Sequence, residues 1–212
     1  DRLFEQMSAF LLAGRGWLVE HVNHEEKTVR VREAPRGQKP SWGGFVPALL
    51  SFELAQKMKA LLVEERPLPY LAESARRAIE ARRADLGETL RRPLAVQLDE
   101  DGARWWTFAG GRINHTLKYA LEWREGWKVV ADNFLLKIRG AGITRASFEA
   151  AIREIAGDEF WAAPETASGL LARLPEYRLS KFQDALPEAE ALEMLGGYLL
   201  DPAGARAWLN SI

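Results

Sequence analysis

The chain has 212 residues, 47% of them hydrophobic and 28% charged, which predicts a soluble globular protein with a sizeable core. It contains no cysteine, so disulfides and thiolate zinc sites are excluded, and we expect a cytoplasmic protein. No apolar run reaches the roughly 18 residues of a membrane span. Because the chain begins at Asp1 without an initiating Met, we interpret it as part of a longer protein.

Charge is distributed unevenly along the chain. The formal net charge is −1, but residues 1–150 carry +4 and residues 151–212 carry −5. The first 150 residues are therefore the better place to look for a polyanionic partner.

The first predicted elements are a helix over residues 2–12 and a β-hairpin over 15–34. In the second hairpin strand, Val29 and Val31 alternate with Thr28, Arg30 and Arg32, so the two sets face opposite sides. The loop APRGQKPSWGG, rich in Gly, Pro and basic residues, follows.

Two helices come next, over residues 51–65 and 70–86. Ser51 is placed to cap the first, and prolines end it. The predicted core-facing stripes are Leu54, Met58, Leu61 and Leu62 on the first helix, and Leu71, Ala75, Ile79 and Leu86 on the second.

The rest of the chain predicts a hairpin over 94–108, a helix over 111–123, a strand pair over 127–138, and a helix capped by Thr144. Four helical stretches follow, over 165–174, 179–186, 187–200 and 202–210, the last capped by Asp201. The fold class is α+β, with a small antiparallel β-barrel or sheet built from hairpins and covered by helices. We expect one domain over residues 1–157 and a helical C-terminal extension over 158–212 packed on it.

Catalytic motifs are missing from the sequence. It has no G-x-x-x-x-G-K-[ST] phosphate loop and no G-x-G-x-x-G turn. His21 and His24 lack a third metal ligand, and His115 has no nucleophile to activate. We therefore expect no catalytic residue, metal or cofactor in this fragment.

Residues 105–117 read WWTFAGGRINHTL and place two tryptophans and a Gly-Gly pair before a helix. Alternation points one tryptophan to the core and leaves the other to stack on a base. The free N–H groups of the helix start suit a backbone phosphate, but the glycines equally suit close strand–helix packing. The candidate nucleic-acid-binding residues here are Trp105, Gly110, Gly111, Arg112, Asn114, His115 and Lys118.

A second basic stretch lies near the N-terminus. It consists of two hairpin arginines and the loop that follows them, and it is either a solvated β-face or a strand that tracks phosphates. Its candidate nucleic-acid-binding residues are Arg30, Arg32, Arg36, Lys39 and Trp42.

Five segments, taken in order, resemble the accessory region after the motor in Lhr-type (large helicase-related) DEAD/DEAH-box helicases of superfamily 2. They are GRGWLVEHVNHEEKTVRVREAPRGQKPSWGG, LSFELAQKMKALL, PYLAESARRAIEARR, WWTFAGGRINHTL and LSKFQDALPEAEALEMLGGYLLDPAGAR. The resemblance covers nearly the whole chain and lies in the order of the segments and in the kinds of residue that they contain. None of these segments is a catalytic motif.

The resemblance implies a β-barrel-containing accessory module whose parent hydrolyses ATP with two RecA-like lobes. ATP and Mg²⁺ are then expected only in those lobes, and no motor residue maps onto this chain. The expected partners are DNA or RNA, single-stranded or forked, and the RecA-like lobes of the same parent chain, with no membrane. The alternative is a structural or protein-docking module of the helicase that does not touch nucleic acid.

Overall fold

The computed structural model describes residues 9–12, 15–34, 47–64, 66–175, 177, 179–180 and 182–212. The chain divides into two compact units, Asp1–Phe45 and Val46–Ile212. Within the described ranges, no helix is both long enough and apolar enough to cross a lipid bilayer.

The first unit contains an antiparallel sheet in the order β1 (Ala9–Leu12), β2 (Arg15–Asn23) and β3 (Thr28–Ala34). The β2–β3 hairpin was predicted. In the structure its register shifts between Val19 and His21. The helix predicted over 2–12 is wrong at Ala9–Leu12, which pairs with the start of β2, and residues 1–8 lie outside the described part. Strand pairing outweighs the local helical pattern there.

The second unit is built around a four-stranded antiparallel sheet. Its strands are β4 (Val96–Asp99), β5 (Gly102–Trp105), β6 (Lys128–Ala131) and β7 (Leu136–Arg139), in the order β4-β5-β7-β6. Both hairpins were predicted. The described strands form an open sheet with β4 and β6 at its edges, so of the two forms expected, sheet and barrel, the sheet is the one observed.

Helices cover one face of this sheet and confirm the α+β class. The long helix α3 (Gly111–Glu125) contacts β6 and most of the other helices of the unit. Those helices are α4 (Arg145–Ala156), α5 (Asp158–Ala162), α6 (Pro164–Leu171), α7 (Glu188–Leu199) and α8 (Pro202–Leu209). The predicted caps are present, since Thr144 Oγ1 accepts from Ser147 N at 3.1 Å and Asp201 Oδ1 from Gly204 N at 2.8 Å.

Helices α1 (Phe52–Val63) and α2 (Glu73–Leu90) pack against each other. Arg83 of α2 and Arg91 just after it donate to the last carbonyls of α1, from Arg83 Nε to Leu61 O at 2.9 Å and from Arg91 Nη2 to Val63 O at 3.1 Å. The last turn of α1 has no basic residue of its own, so these guanidiniums supply the cations that a helix C-terminus favours.

The stripe predicted for α1 is wrong at three of its four positions. Leu54, Met58 and Leu61 are 46%, 37% and 40% exposed, whereas Ala55 is fully buried and Leu62 packs toward α2. The helix carries two apolar faces, and periodicity alone does not tell which one meets the core.

The C-terminal helices contribute to the same core as the sheet. Phe160, Leu170 and Trp208 lie in the same cluster as Leu117 and Ile138. The helix predicted over 179–186 is reduced to a 3-10 turn at Gln183–Ala185 among the described residues. There the side chain of Gln183 bonds Tyr177 O and Leu179 N, and such local bonds compete with a helix.

We expect Leu61→Ala to lower the free energy of unfolding by less than about 1 kcal/mol, because this side chain is already partly solvated. The matched change Leu117→Ala empties a fully buried site on α3 and should cost about 2–5 kcal/mol. Urea denaturation of both variants measures the difference. Equal losses would contradict the outward orientation of the Leu61 face.

Candidate nucleic-acid interface

The Gly110–Gly111 turn is a packed corner. Gly110 has φ 79° and ψ 172°, a region open essentially to glycine alone. A Cβ at Gly110 would lie 2.7 Å from Leu50 O, and one at Gly111 would lie 2.9 Å from Leu49 Cα. Of the two expected roles, close backbone packing is the one that the contacts support.

The N–H groups of Gly110 and Gly111, at the start of α3, are already bonded within the protein. Gly111 N donates to Leu50 O at 3.0 Å, and Gly110 N donates to Asn133 O at 3.1 Å. The Asn133 side chain also bonds the same segment, accepting from Leu50 N and donating to Ala48 O. These two N–H groups are therefore not free to receive a phosphate.

Arg112 points to the end of another helix. Its Nε donates to Leu200 O at 3.1 Å and its Nη2 to Gly197 O at 3.0 Å, so the guanidinium caps the C-terminus of α7. These bonds use Nε and Nη2, so a phosphate contact that leaves them intact would have to use Nη1 of the exposed side chain.

Two of the other candidates on α3 face inward. Asn114 is fully buried, accepts from Thr107 Oγ1 and donates to Asp132 O, both at 2.7 Å. His115 is buried and bonds Gly111 O at 2.8 Å through Nδ1. Their assignment as candidate nucleic-acid-binding residues is corrected accordingly. Lys118 is partly exposed, pairs with Glu122 at 3.0 Å and lies over the Tyr119 ring.

Trp105 is the core tryptophan of the pair, at 1% exposure between Phe148 and Trp208, with ring centroids 5.4 and 5.3 Å away. Its ring faces are closed to a base, which corrects its assignment as a candidate stacking residue. Trp106 lies on the other side of the chain, half-buried, and donates from Nε1 to Gln97 Oε1 at 3.2 Å.

Of the N-terminal candidates, the structure describes two. Arg30 and Arg32 are exposed on β3, as the strand alternation predicts, and Arg32 forms an ion pair with Glu20 at 3.2 Å. Arg36, Lys39 and Trp42 lie outside the described residues.

The sequence reading missed a basic surface on the second sheet. Strand alternation turns Ala103, Leu136 and Ile138 toward the helices and the intervening residues outward. Four outward cations come from three adjacent strands, and we call this surface the basic face: Arg104, Lys128, Lys137 and Arg139.

Like charges meet directly on the basic face. The strand register places Arg104 opposite Lys137, and Arg139 opposite Lys128. Directly opposite side chains in antiparallel strands lie about 4.5–5.5 Å apart at Cβ, and like charges there are destabilising. Arg104 and Arg139 share the carboxylate of Asp99, but neither lysine forms an ion pair within the described ranges. The surface thus has a surplus of positive charge.

Three strand segments carry the cations of the basic face in the sequence. They read ARW, KVV and LKIR, and in each a cation stands next to apolar residues. The segment ARW was interpreted only for its tryptophan, and KVV and LKIR only as a pair of strands. The face that their cations share was therefore not predicted. Register across three strands is what joins the cations, and sequence alone does not give it.

No family model, curated protein or solved structure matches the chain. In the described part of the chain, no three His, Asp or Glu side chains are grouped to hold a metal ion.

Gly110→Ala tests the packed corner. We expect it to cost about 2–4 kcal/mol, because it combines a forbidden backbone region with an overpacked contact. Gly126→Ala is the control, since Gly126 also has positive φ but no atom within 4 Å of its Cβ position, and it should cost only about 1 kcal/mol. Thermal or urea unfolding compares them, and similar costs would argue against the close contact.

The pH dependence of stability should reflect His115. Burial lowers the pKa of His115 from its ordinary value of 6.5, against the opposing effect of the Gly111 carbonyl, and Lys118 lowers it further. The unfolded chain therefore takes up the proton first, and the free energy of unfolding falls as pH drops below about 6.5.

His115→Gln should reduce this fall in the free energy of unfolding between neutral pH and pH 5, as measured by urea denaturation at a series of pH values. The matched variant His24→Gln, at an exposed turn, should retain the slope of the parent protein. An unchanged slope in His115→Gln would refute the assignment.

Proposed function

We propose that this chain is a non-catalytic accessory module of an ATP-dependent DEAD/DEAH-box helicase of Lhr type, and that its basic face contacts the phosphate backbone of single-stranded or forked nucleic acid. The helicase assignment rests on the resemblance of the sequence segments. The contact surface is inferred from the geometry of the second sheet.

The observation that carries the nucleic-acid contact is the pairing of like charges across β5, β7 and β6. Each such pair costs stability in the free protein, and a polyanion laid across the strands relieves the repulsion. The side chains are solvated enough to be reached, since those of Arg104 and Arg139 are 53% and 50% exposed. The surface is continuous, because the three strands are hydrogen-bonded neighbours.

A second candidate function, protein docking without nucleic-acid contact, is favoured by the outward apolar face of α1. Leu54, Met58 and Leu61 follow one another at four- and three-residue spacing along one side of the helix. An apolar stripe of this kind is typical of a surface that packs against another protein segment. The two functions use different surfaces and are compatible in one module.

The double variant Lys128→Gln/Lys137→Gln tests the nucleic-acid contact. We expect the parent protein to bind a fluorescent oligothymidylate with an affinity that falls as salt rises, because phosphate contacts release counterions. Losing two contacts should weaken binding about tenfold and reduce the salt slope by about 1.4, at about 0.7 per single-strand phosphate. Fluorescence anisotropy over a salt series measures both quantities.

The control variant Arg77→Gln/Arg82→Gln removes the same charge from the exposed side of α2. It should bind nearly as tightly as the parent protein. If the parent binds no single strand or fork, or if both double variants weaken binding equally, the basic face is not the contact surface. Retained association with the helicase lobes would then favour the docking function.

A further inference from the structure

Among the residues that the structure describes, Asp99 is the carboxylate that reaches into the basic face from an adjoining strand. Its Oδ1 accepts a hydrogen bond from Arg139 Nη1 at 2.6 Å, and its Oδ2 lies 3.9 Å from Arg104 Nε. Asp99 sits on β4, whereas the two arginines sit on β5 and β7. The carboxylate therefore lies between two guanidiniums that come from different strands.

A glycine makes this arrangement possible. The register aligns Asp99 with Gly102, and Gly102 in turn with Arg139, so the strand between the acid and the base carries no side chain at that point. A Cβ at Gly102 would lie 2.0 Å from Ile138 O, so the sheet excludes one. Asp99 and Arg139 can consequently meet across β5.

The groups around the carboxylate match those that bind a phosphate. Two guanidiniums on one oxyanion are a common phosphate-binding arrangement, and arginine forms the same charge-assisted bonds with carboxylates and phosphates. Exposed ion pairs of this kind contribute little to stability, since water screens them. A phosphodiester can therefore replace the carboxylate at small cost.

We propose that Arg104 and Arg139 form a phosphate subsite of the basic face, and that Asp99 occupies this subsite in the free protein and leaves it when nucleic acid binds. The inference rests on the proposed nucleic-acid contact and adds to it a competing internal anion. Asp99 thereby limits affinity and discriminates against weak, isolated anions, because an incoming ligand must displace it.

The competing interpretation is that Asp99 holds the two arginines in a productive orientation. The two roles predict opposite effects of Asp99→Asn, which keeps the size of the side chain and removes its charge. If Asp99 competes, the variant binds more tightly; if Asp99 orients the arginines, the variant binds more weakly.

Four variants measured by fluorescence anisotropy with oligothymidylate separate these roles: Asp99→Asn, Glu100→Gln, Arg139→Gln and the double variant Asp99→Asn/Arg139→Gln. Glu100→Gln is the matched control, because it removes one charge from the turn that directly follows Asp99, and Glu100 forms no ion pair with either arginine in the described structure. We expect Asp99→Asn to bind about threefold or more tightly than Glu100→Gln, with a salt slope steeper by about 0.7. In the Arg139→Gln background, Asp99→Asn should give no gain over Arg139→Gln alone.

A gain in Asp99→Asn no larger than in Glu100→Gln, a loss of affinity, or a gain that persists in the Arg139→Gln background overturns the subsite. Those outcomes leave the proposed function intact, provided that the parent protein still binds in a salt-dependent manner. Absence of binding by the parent protein and by Asp99→Asn alike overturns both proposals. Far-ultraviolet circular dichroism confirms that each variant is folded.

Discussion

The arrangement of the second unit depends on the backbone approach between Gly110–Gly111 and residues 48–51. At this point the start of α3, the segment leading into α1 and the β6–β7 turn share hydrogen bonds, with Asn133 of that turn bonding to the other two. No residue with a Cβ fits at either glycine without moving backbone atoms. Because α3 begins here and contacts most of the other helices, the position of the whole helical layer follows from this contact.

Much of the fold was accessible from the sequence because local signals and tertiary packing agree. The hairpin turns and the caps at Ser51, Thr144 and Asp201 use short-range chemistry that can be read from neighbouring residues. The prediction was wrong where the local sequence is compatible with two structures. The outward face of α1 and the strand at Ala9–Leu12 were each decided by partners distant in sequence or across the sheet.

The candidate site was harder to predict than the fold. The Gly-Gly turn, Arg112 and Asn114 have the chemistry of an anion site. In the structure, however, they donate hydrogen bonds to the backbone oxygens of Leu50, Leu200 and Asp132. Sequence shows which groups can donate a hydrogen bond and does not show which acceptor is nearest. The basic face is the opposite case. None of its cations suggests a site when it is taken alone in the sequence, and only the register of three strands brings them together.

The arginines that bond to helix ends change what the charge of this protein means to its surroundings. Arg83 and Arg91 lie on the carboxyl end of α1, and Arg112 lies on that of α7. Each guanidinium faces the negative pole of a helix dipole, so part of its field is cancelled before it reaches solvent. The electrostatic potential that acts on a distant ligand therefore differs from the one that a count of charged residues suggests. The positive potential is strongest where cations lie opposite one another, and weaker where a guanidinium lies against helix carbonyls.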